Sequence, residues 1–306
     1  MTDDIFDHEA DVLVVGSGGA AFAAAVTAAA EGASVIMFER NDAVGGTTAL
    51  SGGTAWIPDN PSLRAQGQVD DRDDALRYMC RMSHPQWYCD GHPTFGLPED
   101  SYGLIEAFYD NGSRAVEYLT SVGGLDVVAD DAVPDPSRPV DLGYGVTLPE
   151  MPDYGAELPE DKVPNGRHCT PGPGAPAIIE QLELAARKHG VEVLLEHRAV
   201  RLLQNAERAA VGLELRYRHL TVLARARQAV VFASGGFAHD SELVRRYLPG
   251  RVFGSCSTAG ARGDFVRIGV EAGALLGNMG NAWWKQVPVE IALQVTLTAG
   301  RVDPVG

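Results

Sequence analysis

The apolar positions near the start of the chain fall into two short runs separated by a longer alanine-rich stretch. Residues 12–15 are uniformly apolar and rich in β-branched side chains, which predicts a buried strand. Residues 22–30 are dominated by alanine and end before Gly32, so they predict a helix. Residues 34–38 form a second, largely apolar run and predict a second strand. This order of elements predicts a βαβ unit with a parallel sheet.

The middle of the chain has a weaker pattern. Residues 70–82 begin with acids and then become helical in character, as at a helix N-terminus. Residues 83–100 are rich in Pro, Gly, Trp and His and predict a loop. Residues 104–119 carry apolar side chains at near-helical spacing, but Asn111-Gly112 interrupts them, so we expect two short helices or one kinked helix. Residues 130–164 hold seven of the 18 prolines, and such a long irregular segment is either functional or poorly ordered.

A regular pattern returns in the second half of the chain. Residues 177–189 predict an amphipathic helix, and residues 191–195 predict a strand. Residues 211–217 and 220–224 predict a small hairpin, and residues 229–233 predict another buried strand. The predicted fold class is therefore α/β: a Rossmann-like parallel sheet with a small antiparallel hairpin and a helical, proline-rich insertion.

A glycine-rich turn joins the first strand to the first helix and fits the pattern G-x-G-x-x-G/A. Gly16 permits the tight turn, Gly18 lets the backbone approach a pyrophosphate, and Ala21 is small enough for the helix to pack on the strand. The helix N-terminus offers free N–H groups to phosphates. Glu39 follows the second strand, 23 residues after Gly16, and can accept hydrogen bonds from ribose hydroxyls. The full context predicts a dinucleotide site, although a bare glycine pattern also occurs in structural turns.

A second glycine-rich segment lies just downstream, at residues 45–53. It contains four glycines and three hydroxyl side chains within nine residues. Glycine pairs allow a flat ring or a phosphate to approach the main chain, and Thr and Ser can donate hydrogen bonds to it. The alternative interpretation is a flexible polar loop.

Residues 45–58, GGTTALSGGTAWIP, resemble the flavin-binding segment of the fumarate reductase and 3-ketosteroid dehydrogenase superfamily. The Thr47-Thr48 pair and the sequence Trp56-Ile57-Pro58 are closer to the ketosteroid dehydrogenases. The resemblance implies FAD as the cofactor, and we expect it to be held without a covalent link. Residues 233–237, ASGGF, resemble the family's element near the adenosine half of FAD; a simple strand-to-helix turn is the alternative.

Motif and resemblance together give one set of expected FAD contacts. These are Gly16, Ser17, Gly18, Gly19, Ala20, Ala21, Glu39, Arg40, Gly45, Gly46, Thr47, Thr48, Ser51, Gly52, Gly53, Val200, Ala233, Ser234 and Gly235. Residues 263–265 open a further helix that ends near Gly273, and Asp264 is its expected N-cap. Family members often carry Gly-Asp-Gly at this turn. Phe265 departs from that pattern, so no FAD contact is predicted there.

The segment at residues 151–171 carries the candidate chemistry. Its Pro152-Asp153-Tyr154 and Gly166-Arg167-His168 resemble the PDY and GRH stretches of ketosteroid dehydrogenases. In that family a tyrosine after Pro-Asp faces the steroid and assists a second tyrosine that removes a proton, so the resemblance makes Tyr154 the candidate catalytic residue. A phenol, with an ordinary pKa near 10, needs neighbouring charge or hydrogen bonds to act as a base. Tyr154 could equally anchor a proline-rich turn, and Tyr144 is a weaker candidate.

Other catalytic classes have less support. Arg167 could hold a carboxylate substrate, as arginines do in fumarate reductases, but such an arginine is more often structural. The eight histidines show no H-x-x-x-H or H-x-H spacing, so no metal site is predicted. There is no G-x-S-x-G elbow, so a serine hydrolase is not indicated.

Domain boundaries follow from the same resemblance. Residues 1–280 are expected to form the FAD-binding domain, with the insertion at residues 58–176. Asn281-Ala282-Trp283-Trp284 resembles the entry into the family's substrate-binding domain, so residues 281–306 are expected to begin a truncated domain of that kind. The family's second tyrosine, its Tyr-Pro-Gly-Gly segment and its C-terminal flavin motif have no counterpart here. We therefore expect turnover below the median enzyme value of about 10 s⁻¹.

Composition narrows the class of partner. The 306-residue chain is 45% hydrophobic and carries a net charge of −16 without a basic cluster, which argues against nucleic acid and against an anionic membrane surface. Residues 12–30 are uncharged, but their glycine turn argues against a membrane span. The N-terminus lacks the features of a signal peptide, and the four cysteines show no metal or C-x-x-C spacing, so we expect reduced thiols and a cytoplasmic location.

The expected function is FAD-dependent dehydrogenation beside a ketone. A base takes the α-proton and the flavin takes hydride from the adjacent carbon. The expected partner is a small molecule, either a steroid-like ketone or an unsaturated acid, and the electron acceptor is unknown. The alternatives are a fumarate reductase-like alkene reductase and a truncated flavin-binding protein without turnover.

Overall fold

The computed structural model describes residues 6–51, 53–129, 139–141, 147–149, 167–282 and 290. The chain divides into two compact units. The first unit comprises residues 1–52 and 179–306, and the second comprises residues 53–178. The predicted boundaries of a FAD-binding domain and a truncated second domain stay predictions.

Strands and helices are numbered along the chain. The strands are β1 (His8–Val15), β2 (Val35–Phe38), β3 (Ala55–Trp56), β4 (Val127–Ala129), β5 (Pro139–Asp141), β6 (Thr147–Pro149), β7 (His168–Pro171), β8 (Glu192–Leu194), β9 (His197–Gln204), β10 (Ala210–Tyr217) and β11 (Leu220–Phe232). The helices are α1 (Gly19–Ala30), α2 (Pro61–Ala65), α3 (Arg72–Ser83), α4 (Glu99–Ser121), α5 (Ile178–Lys188), α6 (Ser241–Tyr247) and α7 (Asp264–Ala272). A short 3₁₀ helix spans Gly46–Leu50.

A six-stranded mixed sheet forms the centre of the first unit, in the order β8-β2-β1-β11-β10-β9. The strands β8, β2, β1 and β11 run parallel to one another. The strands β10 and β9 follow as antiparallel neighbours of β11. The predicted α/β class with a parallel sheet is confirmed, and α1 begins at Gly19, three residues earlier than predicted.

The predicted hairpin is part of this main sheet. The expected break between residues 224 and 229 is wrong, because β11 is one strand of 13 residues. It pairs with β1 in parallel from Ala224 to Phe232 and with β10 in antiparallel fashion from Leu220 to Arg225. The polar residues that suggested a break alternate with buried alanines: Arg227 is exposed and pairs with Glu9 and Asp11 of β1, while Ala226 is buried. Strand geometry, which places successive side chains on opposite faces, explains this alternation.

The core lies on both faces of this sheet. Leu13 and Val15 of β1 pack into one cluster with Leu213 and Leu215 of β10 and Ile268 of α7. On α1, four side chains are buried, and this helix packs against β1, β2 and β11. A strand covered on both faces reads as a continuous apolar run, which explains why residues 12–15 predicted the strand so clearly.

The second unit contains a three-stranded antiparallel sheet in the order β3-β7-β4, a separate β5–β6 pair and the helices α2, α3 and α4. Of the two alternatives expected at Asn111-Gly112, two short helices are wrong, because α4 is one helix of 23 residues. The intrinsic cost of Asn and Gly in a helix is about 1 kcal/mol each. Burial of Val116 and Leu119 offsets it, whereas the exposed ion pairs that Arg72 of α3 makes with Glu106 and Asp110 contribute little.

Four further expectations can be compared with the structure. The loop predicted at residues 83–100 consists of turns until α4 begins at Glu99. Residues 130–164 lie outside the described residues except for β5 and β6. All four cysteines are free. No helix in the described part of the chain is both long enough and apolar enough to cross a bilayer.

The core of the first unit predicts the effect of a cavity. Leu213 is fully buried, and its replacement by Ala should lower the free energy of unfolding by about 2–5 kcal/mol because the cavity cannot close completely. Leu220, at the start of β11, is half-exposed and serves as the matched control. Urea denaturation of Leu213→Ala and Leu220→Ala measures both. Equal losses would contradict the assignment of Leu213 to the core.

Candidate functional site

A cleft in the first unit opens at the carboxyl ends of β1, β2 and β11. These strands are parallel neighbours, so the residues that follow them meet at one edge of the sheet. Ligands of open α/β sheets bind at this edge. Gly16 follows β1, Glu39 follows β2 and Ala233 follows β11, and all three line the cleft.

Gly16 has no room for a side chain. Its φ is +106°, and a Cβ atom there would stand 2.5 Å from the carbonyl oxygen of Ala233. The Gly16 N–H donates to the carbonyl oxygen of Phe38, 2.8 Å away, and the Ala233 N–H donates to that of Val15 at 2.9 Å. Glycine is therefore needed here for two reasons, the left-handed backbone and the close approach of the strand that ends at Phe232.

The Ser17 hydroxyl connects three segments around the cleft. It donates to Oε2 of Glu39 at 2.6 Å and accepts the Gly45 N–H at 3.1 Å. The Asn41 N–H donates to the other carboxylate oxygen, Oε1, at 2.8 Å. Each oxygen of Glu39 thus has one protein donor and retains lone-pair capacity for hydroxyl donors of a ligand. Glu39 itself is buried at 5% exposure.

The N-terminus of α1 faces the same cleft. Its N-cap is Gly18, which has no capping side chain, and the Gly19 N–H donates to Oγ1 of Thr48 at 3.0 Å. Since the first N–H groups of a helix have no intrahelical acceptor, the remaining ones are free for an anion. A Cβ on Gly18 would meet only Thr48 and Gly45, at 3.6 Å or more, so the backbone is open on this side.

Asp264 does not cap α7, contrary to the expectation from sequence. The N-cap is Gly263, in the left-handed conformation, and Asp264 is the first helical residue. Its carboxylate instead accepts hydrogen bonds from Arg40 at 3.0 Å and from Arg198 at 2.7 and 3.0 Å. Two arginines outcompete the backbone N–H groups as donors because charge-assisted hydrogen bonds are stronger.

The rest of the cleft wall is apolar and aromatic, and the sequence did not indicate it. Phe265 packs against Phe232 with ring centroids 4.8 Å apart. The buried His197 stacks on Tyr217 at 4.5 Å. Further lining residues without a predicted contact are Asn41, Ala199, Thr258, Gly260, Ala261 and Ile268. No local motif marks these positions; the sheet and α7 bring them together.

Most of the predicted contacts gather in this cleft. Those that line it are Gly16, Ser17, Gly18, Gly19, Ala20, Glu39, Arg40, Gly46, Thr47, Thr48, Ala233, Ser234 and Gly235. Their contact with FAD stays a prediction.

The remaining predicted contacts are placed elsewhere. Ala21 is buried in α1, and Val200 lies beside the lining residue Ala199 without lining the cleft. Gly45 and Ser51 are the N-cap and C-cap of the 3₁₀ helix Gly46–Leu50 and do not line the cleft, and Gly53 belongs to the second unit. The positions Gly52, Tyr144 and Tyr154 lie outside the described residues.

Arg167, the alternative carboxylate ligand, lies in the second unit and is not accessible. It is fully buried, and its Nε donates to Asp70 Oδ2 at 2.7 Å while Nη2 donates to Oδ1. Its guanidinium also lies 5.3 Å from the Trp56 ring centroid. Asp70 itself is not part of α3, because it precedes Asp71, the N-cap of that helix. The structural interpretation of Arg167 fits these contacts, since a buried carboxylate binds two of its three nitrogens. The third, Nη1, is buried without a hydrogen-bond partner among the described residues.

The cleft fits a dinucleotide. The glycine turn after β1 and the uncapped N-terminus of α1 border the cleft. The buried carboxylate of Glu39, which has free lone pairs, borders it as well. A Cβ atom on Gly235 would meet nothing within 4 Å, so this backbone also borders open space. These are the groups that phosphates and a ribose require.

Glu39 provides a direct test of this cleft. Glu39→Gln keeps the size of the side chain but removes the charge that strengthens hydrogen bonds from ribose hydroxyls. Such bonds contribute about 1.5–3 kcal/mol, so the dissociation constant for FAD should rise roughly ten- to a hundredfold. Flavin fluorescence titration measures it, with Glu192→Gln, an exposed carboxylate on β8, as the control. An unchanged dissociation constant would exclude Glu39 from the ribose contact.

The Asp70–Arg167 pair makes a second prediction. Asp70→Asn leaves a buried guanidinium without its counter-ion and should lower the free energy of unfolding by about 3–5 kcal/mol. Asp110→Asn removes an exposed partner of Arg72 and should have little effect. Chemical denaturation compares the two variants. A loss for Asp70→Asn as small as that of the control would show that Arg167 is not held by this carboxylate.

The chain is similar in sequence to dehydrogenases and reductases. It is 30% identical over 306 residues to 4-oxocyclohexanecarboxylate 2-dehydrogenase of Sinomonas cyclohexanicum, covering 91% of this chain and 52% of the relative. It is 26% identical over 265 residues to the probable fumarate reductase Ifc3 of Shewanella frigidimarina, covering 86% and 38%. The chain thus spans about half, or less, of the length of these relatives.

A solved structure shares the fold. The 3-ketosteroid-Δ4-(5α)-dehydrogenase of Rhodococcus jostii RHA1, solved in complex with 4-androstene-3,17-dione, superposes with a TM-score of 0.69 at 24% identity, covering 91% of this chain and 56% of that one. The family model described as FAD binding domain matches residues 11–298. The chain therefore belongs to the family of FAD-binding domains, and FAD is its cofactor.

Proposed function

We propose that the protein is an FAD-dependent oxidoreductase that removes two hydrogens from adjacent carbons of a cyclic ketone, with a 3-ketosteroid-like compound as its substrate. The observation that carries the proposal is the dinucleotide cleft of the first unit, with Glu39 and the open N-terminus of α1 at one sheet edge. The relative that shares 30% identity, a dehydrogenase named for a ring ketone, supports the substrate class.

The residues of the first unit would hold the cofactor. Gly18 and Ala20, at the open N-terminus of α1, offer backbone N–H groups to the phosphates, and Glu39, fixed by Ser17, accepts from the ribose. Bound FAD supplies the redox chemistry by accepting a hydride. The protein's own contribution is then to bind the two molecules, to orient them and to move protons.

Proton removal needs a base near the carbon beside the ketone. Tyr154 remains the proposed assisting residue. Tyr109 of the second unit is unsuited to this task, because burial, together with the charges of Asp59 and Asp70, raises the pKa of its phenol to about 12. Its hydroxyl donates to the backbone carbonyl of Asp70 at 2.8 Å, and this hydrogen bond also favours the protonated phenol.

Arg167 does not separate a ketone from an unsaturated acid. An acid substrate such as fumarate needs a cation to hold its carboxylate. Arg167, the arginine in the segment that resembles the family's substrate-facing stretch, is buried and bound to Asp70. It therefore does not serve as that cation, and the preference for the dehydrogenase rests on the relative named for a ring ketone.

Anaerobic single-turnover assays test the proposal and do not depend on the electron acceptor. The protein reconstituted with FAD is mixed with 4-androstene-3,17-dione or with 4-oxocyclohexanecarboxylate, and the flavin absorption band is followed. We expect the band to bleach. Cyclohexanecarboxylate, which lacks the ketone, is the matched control and should leave it unchanged, because its α-proton is not activated.

Two results would overturn the proposal. Pre-reduced protein that is reoxidised by fumarate, with no bleaching by either ketone, would support the alkene reductase. Yellow protein that reacts with neither class would support a flavin-binding protein without turnover.

A further inference from the structure

The carboxylate of Asp264 is shared by two arginines at the edge of the cleft. Its Oδ2 accepts from Arg40 Nη1 and from Arg198 Nε, both at 3.0 Å, and its Oδ1 accepts from Arg198 Nη2 at 2.7 Å. The side chain of Asp264 is 12% exposed, whereas those of Arg40 and Arg198 are 25% and 47% exposed. The carboxylate is therefore the most buried member of this group.

The backbone around Arg40 is fixed by neighbouring strands. The Glu39 N–H donates to the carbonyl oxygen of Leu194 at 2.9 Å, and the Glu196 N–H donates to that of Asn41 at 2.9 Å. The side chain is the part of Arg40 that these bonds leave unrestrained. Its Nη1 donates to Asp264 and, at 3.2 Å, to the carbonyl oxygen of Gly260. Two contacts on one nitrogen thus set the direction of the guanidinium.

Arg40 would not keep this position without the carboxylate. Burial lowers the pKa of its guanidinium, and Asp264 opposes that shift. The charges of Arg198 and Arg262 also act against the protonated form. The charge of Glu39 favours the protonated guanidinium more weakly than that of Asp264. With Asp264 neutralised, repulsion from the two arginines and the gain from rehydration would oppose the present position of Arg40 in the cleft.

We propose that Asp264 is a positioning residue for FAD, which holds the planar guanidinium of Arg40 against the adenine ring. The inference rests on the proposed cofactor site. Glu39 is assigned to the ribose, and Arg40 is the next residue along the chain and lines the same cleft, so the base is the part of the dinucleotide within its reach. A guanidinium stacks on an aromatic face through its plane and its charge. Phe265, beside Asp264, lines the same region.

A structural role for Asp264 is the competing explanation. The two bonds from Arg198 would then tie the start of α7 to β9, and any loss of FAD would follow from loosening of that helix. The two roles differ in one respect. If Asp264 acts through Arg40, changing both side chains should weaken FAD binding no more than changing Arg40 alone.

A double-mutant cycle separates these roles in the full chain. The variants are Arg40→Met, Asp264→Asn and the combination, and the dissociation constants for FAD and for ADP are measured by fluorescence titration and by displacement. We expect each single change to weaken both ligands about three- to tenfold, in line with cation–π contacts. We expect the double variant to match Arg40→Met. Additive effects, an unchanged Arg40→Met, or a loss for FAD without one for ADP would overturn the proposal.

A matched control removes general effects of breaking an arginine–carboxylate pair. Glu214 accepts two bonds from Arg201, at 2.6 and 3.0 Å, in the same unit, and neither residue lines the cleft. Glu214→Gln should therefore leave both dissociation constants unchanged, and a loss of affinity equal to that of Asp264→Asn would overturn the proposal.

If the unmodified chain fails to bind FAD, the cofactor site itself is wrong. If it binds FAD and the cycle is additive, only the role of Asp264 is wrong.

Discussion

The hydroxyl of Ser17 holds together three segments that are distant along the chain. It joins the turn after β1, the carboxylate after β2 and the N–H of Gly45 through two hydrogen bonds, of 2.6 and 3.1 Å. Because Glu39 is buried, its charge requires such donors. The same bonds place the Gly46–Leu50 turn against α1, where Thr48 receives the Gly19 N–H. The shape of the cleft and the orientation of its acid thus depend on one small polar side chain.

The sheet explains why these segments meet at all. Three parallel strands end at the same edge, and the close approach of Ala233 to Gly16 fixes how near the third strand end can lie. The strand β11 also carries the antiparallel part of the sheet, since its first half pairs with β10. Apolar packing of Leu213 and Leu215 therefore supports the same strand whose other end borders the cleft.

Sequence patterns predicted those parts of the fold that are determined by interactions between residues close together in the chain. The turn from Gly16 to Ala21 with its flanking strand and helix was confirmed from pattern alone, since apolar runs and glycine positions are local signals. The continuity of β11 was missed, and that of α4 was left open between two short helices and one kinked helix. Packing between distant elements overrode Gly112 and the polar residues of β11. The pairing of Asp264 with Arg40 joins positions 224 residues apart, and no local pattern reports such a contact.

The charges around the cleft show how an acidic chain can bind an anionic cofactor. The chain carries a net charge of −16, so long-range attraction does not draw in a pyrophosphate. Among the described residues that line the cleft, Arg40 is the one lysine or arginine, and Asp264 already pairs with it. The favourable field for the phosphates must therefore come from the backbone N–H groups and the helix dipole of α1. These dipoles are fixed by the fold before the ligand arrives, so binding requires little reordering of side chains. The glycine turn and the open N-terminus of α1 thus provide an anion site that does not depend on the sign of the protein's net charge.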